Sequence, residues 1–111
     1  MILEIAQIEI KNGLEQEFED AVRRSMPLFI RASGFCSFQL RKVVETPRRY
    51  QLVVGWNTVE DHTIGFIGSN DFAVWRQLVG HCFARIPTFE HSVEIVGWTA
   101  SDVVPHELER L

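Results

Sequence analysis

Two kinds of periodicity alternate along this chain, and their order constrains the fold more than any single residue does. Ile2 to Ile10 alternates at period two, with Ala6, Ile8 and Ile10 on one side and Ile5, Gln7 and Glu9 on the other, the mark of a strand. Leu14, Phe18, Ala21, Val22, Ser25, Leu28 or Phe29, and Ala32 then recur at spacings of three and four, with Glu15, Glu17, Glu19 and Asp20 outside. That stripe predicts a helix, opened by the Lys11-Asn12-Gly13 turn and ended by a left-handed cap at Gly34. Pro27 removes one backbone donor inside it, so a bend is expected there rather than two separate helices.

Phe35 to Glu45 and Tyr50 to Asn57 read as two more strands, joined through Thr46-Pro47-Arg48-Arg49, which is short enough for an antiparallel hairpin. Tyr50, Leu52, Val54 and Trp56 share a face, and Gly55 between them signals a bulge or the close approach of another group. From Trp56 to Phe83 the chain passes from strand end into an interrupted helix. Thr58 offers a first cap, with Glu60 and Asp61 at the positive end of the dipole. Gly65 and Gly68 loosen the backbone two turns later, and Ser69 or Asn70 caps a second helix whose stripe is Phe72, Trp75, Leu78, Val79, Cys82 and Phe83. Past Pro87, Thr88 to Val96 is a fourth strand with Phe89, His91, Val93 and Ile95 on one side.

Strand, helix, strand, strand, helix, strand is the order of an α+β, ferredoxin-like protomer with a four-stranded antiparallel sheet. Helices on one face leave the other bare, and Ile2, Leu3 and Ile5 put apolar groups on both faces at the start of the first strand. Two such sheets packed face to face in a homodimer would cover it. Residues 1–97 make the domain. The tail, 98–111, carries Trp98, Val103, Val104, Leu108 and Leu111, and is expected to pack on the domain or on the partner subunit.

A chain of 111 residues can bury a core without disulfides or metal. Eleven basic against fifteen acidic residues, a formal charge of −4, argue against a nucleic-acid or anionic-membrane partner. The start lacks the basic, apolar and small-residue pattern of a signal peptide, and no apolar run is long enough to span a bilayer, so a cytoplasmic location is expected. Cys36 and Cys82 are read as lone small hydrophobes.

Dispersed pieces of this pattern resemble the antibiotic biosynthesis monooxygenase family, whose members are dimeric α+β barrels. The pieces are the first strand entering Lys11-Asn12-Gly13 and the Phe18 helix, Ser33-Gly34-Phe35, Tyr50-Gln51-Leu52-Val53-Val54-Gly55-Trp56, His62-Thr63-Ile64-Gly65-Phe66 with Phe72 and Trp75-Arg76, and Glu90-His91. The resemblance implies a cofactor-independent oxidation of an aromatic or polyketide-like small molecule by molecular oxygen, in which an electron-rich phenolate or enolate itself reduces oxygen and the protein supplies a dry pocket, deprotonation and orientation. Other relatives degrade haem with an asparagine, a tryptophan and a histidine. Ala6, Phe66 and Arg76 fall at those positions, so that chemistry is disfavoured.

His62, in the first turn of the short helix at the expected cavity mouth, suits a general base because imidazole changes charge near neutrality; the plain alternative is a packed helix-start histidine. His91 either reaches the ligand or is a core histidine bonded to a neighbour. Phe72 and Trp75 are spaced as core residues and stand as candidate walls, while Trp56 and Phe66 flank the glycine-rich break where a pocket can open. Arg76 either pairs with a carboxylate or anchors a phenolate oxygen. His62, His81, His91 and His106 lack the spacing of a metal site, and neither metal nor cofactor is expected. The competing reading is a non-catalytic small-molecule-binding or stress-associated dimer on the same fold.

Overall fold

The alternation of Ile2–Glu9 builds β1 at the centre of the sheet, antiparallel to β3 (Arg49–Trp56) on one side and to β4 (Thr88–Val93) on the other. β2 (Phe35–Lys42) adds to the outer edge of β3, giving the order β2-β3-β1-β4. This is the α+β ferredoxin-like fold. The coordinates are a computed structural model, which describes residues 1–102 and 105–109.

One face of the sheet holds the core. α1 (Glu15–Arg24) buries Phe18, Ala21 and Val22 against it, with Phe18 edge-on to Tyr50 at 5.0 Å between ring centroids. α2 (Met26–Ile30) contributes Phe29, whose ring lies 4.8 Å from Phe38, 4.7 Å from Phe66 and 5.2 Å from Trp75. Burying each such ring is worth about 2–3 kcal/mol, so this cluster ties α2, β2, the interrupted helix and α3 (Asn70–Val79) together.

The expected single bent helix is two. The break falls at buried Ser25, whose N–H is shared between the Ala21 and Val22 carbonyls and whose hydroxyl donates to Val22 O at 2.6 Å. Pro27 then sits in the first turn of α2, where its missing N–H is not needed. Gly34 has the expected positive φ of 79° but does not cap the helix, which ends earlier, at Ile30, with Arg31 as a right-handed cap. The close approach signalled by Gly55 comes from the chain itself: a Cβ there would collide with Ser37 Oγ and the Met1 sulfur, and the register irregularity lies opposite, between Phe35 and Ser37.

The helix-free face is less apolar than expected. Leu3, Ile5 and Val53 sit half-buried at its centre, among Gln7, Gln39, Arg41, Gln51 and Glu90, because the bulky residues of β2, β3 and β4 point to the helices. β4 also ends three residues early, at Val93, since β1 begins at the opposing Ile2. Ile95 and Val96 beyond it are exposed, as are Trp98 and, in α4 (Pro105–Leu108), Leu108 of the tail; Val103, Val104 and Leu111 lie outside the described residues. Among the described residues no helix is long and apolar enough to cross a membrane.

Candidate functional site

Period two carries the helix-facing side of β1 back from Ile8 and Ala6 to Glu4, a carboxylate only 7% exposed. Its cross-strand neighbours are Val54 on β3 and His91 on β4. Trp56, one step along the same face of β3, donates its indole N–H to Glu4 Oε1 at 3.0 Å.

A fourth group arrives from the interrupted helix. Thr58 and Asp61 cap each other, the Asp61 N–H donating to Thr58 Oγ1 at 3.1 Å and the Thr58 N–H to Asp61 Oδ2 at 3.0 Å. The turn that follows, Asp61–Phe66, is wound as a π-helix, with the Ile67 N–H donating to His62 O at 3.0 Å across five residues. At its end a Cβ on Gly68 would collide with the Ile64 carbonyl, and Ser69 then accepts from the Phe72 N–H to start α3. The wide turn directs both His62 and Phe66 inward. The His62 ring stacks on Trp56 at 5.9 Å and 17° and meets the edge of Phe89 at 5.0 Å. Its Nε2 lies 3.3 Å from Glu4 Oε1 and its Nδ1 2.9 Å from His91 Nε2. His91, Phe89 and Trp56 therefore hold the two buried groups from both sides.

Burial governs the charge of this array. It raises the Glu4 carboxyl to about 7, against a smaller pull downward from the Trp56 hydrogen bond. It also lowers His62 to about 4, with the electrostatic effect of the adjacent His91 ring acting in the same direction. An ionised Glu4 at 3.3 Å would favour an imidazolium, but desolvation of both groups outweighs that attraction and holds the imidazole neutral near pH 7.

Glu4 and His62 form part of the wall of a cavity of about 600 Å³ between the sheet and α3. Ala6, Ile8, Leu52 and Phe89 floor it, Phe72, Trp75 and Arg76 cover it, and Phe83, Arg85 and Ile86 complete the rim. His62, Phe72, Trp75 and Arg76 are thus placed where a ligand can meet them. His62 is 3% exposed, part of the wall and not of the mouth where it was expected. Trp56, Phe66 and His91 stand behind the cavity instead of lining it: Trp56 and Phe66 are core rings 5.5 Å apart, and His91 backs His62. Arg76 is exposed and, among the described residues, has no carboxylate at ion-pair distance, whereas Arg85 pairs with Glu9 at 2.8 Å.

Glu4 went unread in the sequence, although extending the Ala6, Ile8, Ile10 face by one step reaches it. A second cleft, of about 730 Å³, lies between α1, α2 and β2, where Tyr50, Lys42 and Arg23 all engage Glu19. Elsewhere Glu17, His81 and Cys82 bring possible ligand atoms within 4.8 Å of one another, outside both cavities' chemistry; Glu17 and His81 already pair at 3.4 Å.

With this geometry in hand, comparison with known proteins is decisive for the family. The model of the family described as antibiotic biosynthesis monooxygenase matches residues 1–78. The chain belongs to the antibiotic biosynthesis monooxygenase family. An uncharacterized Bacillus subtilis protein, YczJ, is 41% identical over 95 residues, spanning 86% of this chain and 100% of its own length. A Bordetella bronchiseptica protein provisionally described as an antibiotic biosynthesis monooxygenase is 44% identical, with a TM-score of 0.85 over 86% of this chain and 97% of its own. A mutant of SnoaB, a cofactor-independent oxygenase from Streptomyces nogalater, superposes with a TM-score of 0.73 over 86% of this chain and 94% of that one at 14% identity, which shows the shared fold alone. Within this monooxygenase family, the matched segment contains Glu4, Trp56 and His62 and ends before His91.

Proposed function

We propose that this family member oxidises an aromatic or polyketide-like phenol or enol with molecular oxygen, without a cofactor, in the cavity between the sheet and α3. The observation that carries the reading is a buried, hydrogen-bonded carboxylate and imidazole set in the wall of an otherwise largely apolar chamber. Such a chamber of about 600 Å³ matches a flat polycyclic ligand in size. Phe72, Trp75 and Phe89 offer its faces stacking surfaces, and Arg76, without a carboxylate partner among the described residues, offers an anionic oxygen a partner.

The chemistry asks little of the protein beyond this. Removal of one proton at the wall group containing His62 leaves an electron-rich anion. The anion passes an electron to oxygen, the two radicals combine, and the resulting peroxide takes back a proton and loses water to leave a quinone carbonyl. One atom of oxygen enters the product and the other leaves in water. Exclusion of bulk water protects the anion and strengthens its hydrogen bonds. Two copies packed through the Leu3, Ile5 and Val53 patch complete the assembly, with the exposed Trp98 segment reaching over the partner.

Incubation with anthrone in air and under argon, followed by quinone absorbance, tests the reading. Oxygen-dependent turnover that falls at least a hundredfold in His62→Ala supports it. Tight binding of the aromatic with no oxygen consumption favours a non-catalytic binding protein instead.

A further inference from the structure

Of the groups at the cavity wall, the two histidines are the obvious proton carriers, yet both nitrogens of His62 lie against other polar side chains and His91 stands behind the wall. His62 uses Nε2 toward Glu4 and Nδ1 toward His91, and His91 does not line the cavity. Glu4 is different. Its Oε1 accepts the Trp56 indole N–H at 3.0 Å and has His62 Nε2 3.3 Å away. Among the described residues its Oε2 takes no hydrogen bond and no fully buried side-chain oxygen lacks a partner, so Oε2 is the oxygen left open on a residue that lines the cavity.

We infer that Glu4 is the base: its Oε2 takes the substrate's proton, while Trp56 and His62 hold the carboxylate in place through Oε1 and His91 fixes the tautomer of His62. This deepens the oxidative reading above and rests on it for the identity of the substrate. The hydrogen-bond arithmetic selects one arrangement. A neutral His62 has one N–H, and an ionised Glu4 requires donors, so the His62 proton is assigned to Nε2, which faces Oε1 at 3.3 Å. Its Nδ1 is then an acceptor, and His91 must donate from Nε2 across the 2.9 Å contact. The chain reads His91 N–H to His62 N–H to Glu4, with the indole N–H of Trp56 closing it. The proton moves from the substrate O–H or activated C–H to Glu4 Oε2, giving the carboxylic acid and the substrate anion, and returns to the peroxide later in the cycle.

The charged and titratable neighbours suit this assignment. From β3 comes only the neutral indole, from the π turn a neutral imidazole, from β4 His91, and from α3 and the segment before β4 Arg76 and Arg85 around the same cavity. Among the described residues no Lys or Arg pairs directly with Glu4 to hold it permanently ionised, and its carboxyl titrates near neutrality, at about 7, where a base both accepts and gives up a proton.

Anthrone binding under argon separates this assignment from the oxidation itself. Wild-type protein is expected to convert bound anthrone to its anion, seen as a long-wavelength absorbance band that grows as pH rises through neutrality. Glu4→Gln, isosteric and folded by circular dichroism, should bind anthrone with similar affinity and lose the band. Glu4→Asp should restore it in part. For His91, Ala should move the midpoint of that transition and Gln, which can donate to His62 Nδ1, should return it. Without ligand, the one indole N–H resonance missing from Trp56→Phe should titrate near neutral pH in wild type and stay still in Glu4→Gln. An anion band undiminished in Glu4→Gln, a wild type that binds anthrone and leaves it neutral, or an indole signal that does not move would overturn the assignment. If the anion forms in wild type and vanishes in Glu4→Gln, yet no oxygen is consumed on admitting air, Glu4 stands as the base and the oxidative reading fails.

Discussion

Two carboxylates on the helix side of this sheet look alike and behave as opposites. Glu19 accepts the Tyr50 hydroxyl at 2.6 Å, and Glu4 accepts the Trp56 indole at 3.0 Å; each is bonded to a buried aromatic donor. Glu19 also has Lys42 at 3.0 Å, Arg23 at 3.8 Å and access to solvent, and the hydrogen bonds from Tyr50 and Lys42 hold it below the usual carboxylate range. Glu4 has, among the described residues, no Lys or Arg beside it and little exposure to water, and burial lifts it to about 7. An aromatic hydrogen bond alone does not keep a buried carboxylate ionised. Cations and solvent do, and their absence turns a structural anion into a group that exchanges protons at neutral pH.

The largest effect that could break this contrast is in the pH dependence of stability. Glu4 has a folded pKa above its ordinary value of 4.5, so the stability it contributes is full below about pH 4.5 and is lost as pH rises through about 7. Glu4→Gln should therefore gain up to about 3 kcal/mol on wild type at pH 8, with the gain gone at pH 4.5, by urea unfolding at each pH. His62 runs the other way. Its folded pKa of about 4 lies below 6.5, so it withdraws stability as pH falls through that range, and His62→Gln should flatten the acid side of the curve. Between pH 4.5 and 6.5 the two slopes oppose, and each single variant should expose the slope of the other.

A smaller effect belongs to Glu19. Tyr50→Phe removes its shortest hydrogen bond and should cost about 1–2 kcal/mol by the same unfolding measurement. Because Glu19 sits below its ordinary pKa, its contribution is present above pH 4.5 and fades as pH falls further, so this cost should shrink in acid, opposite in sense to the Glu4 curve.

Much of this architecture was legible from periodicity. The order of elements, the faces of β1 and β3, the Thr58 and Ser69 caps and the left-handed backbone at Gly34 all follow from residue type and spacing, because each is decided within a few residues. What was not legible depends on contacts between distant segments. The first helix breaks at Ser25, two residues before Pro27, where the missing proline N–H and the hydroxyl's local bond to Val22 act together on the ladder. Trp56 and Phe66 are core instead of wall because Phe29, from another helix, fills the space beside Phe66. Glu4 escaped notice because a lone acid at a strand start is ordinarily read as exposed, and only the π turn that lowers His62 onto it reveals its burial.

The most direct measurement is a carboxyl-carbon NMR titration of the ligand-free protein labelled at glutamate, with Glu4→Gln and Glu19→Gln to assign the two signals. The account predicts that Glu4 titrates near pH 7 and Glu19 below 4.5. A Glu4 signal that titrates at or below 4.5, alongside Glu19, would contradict it.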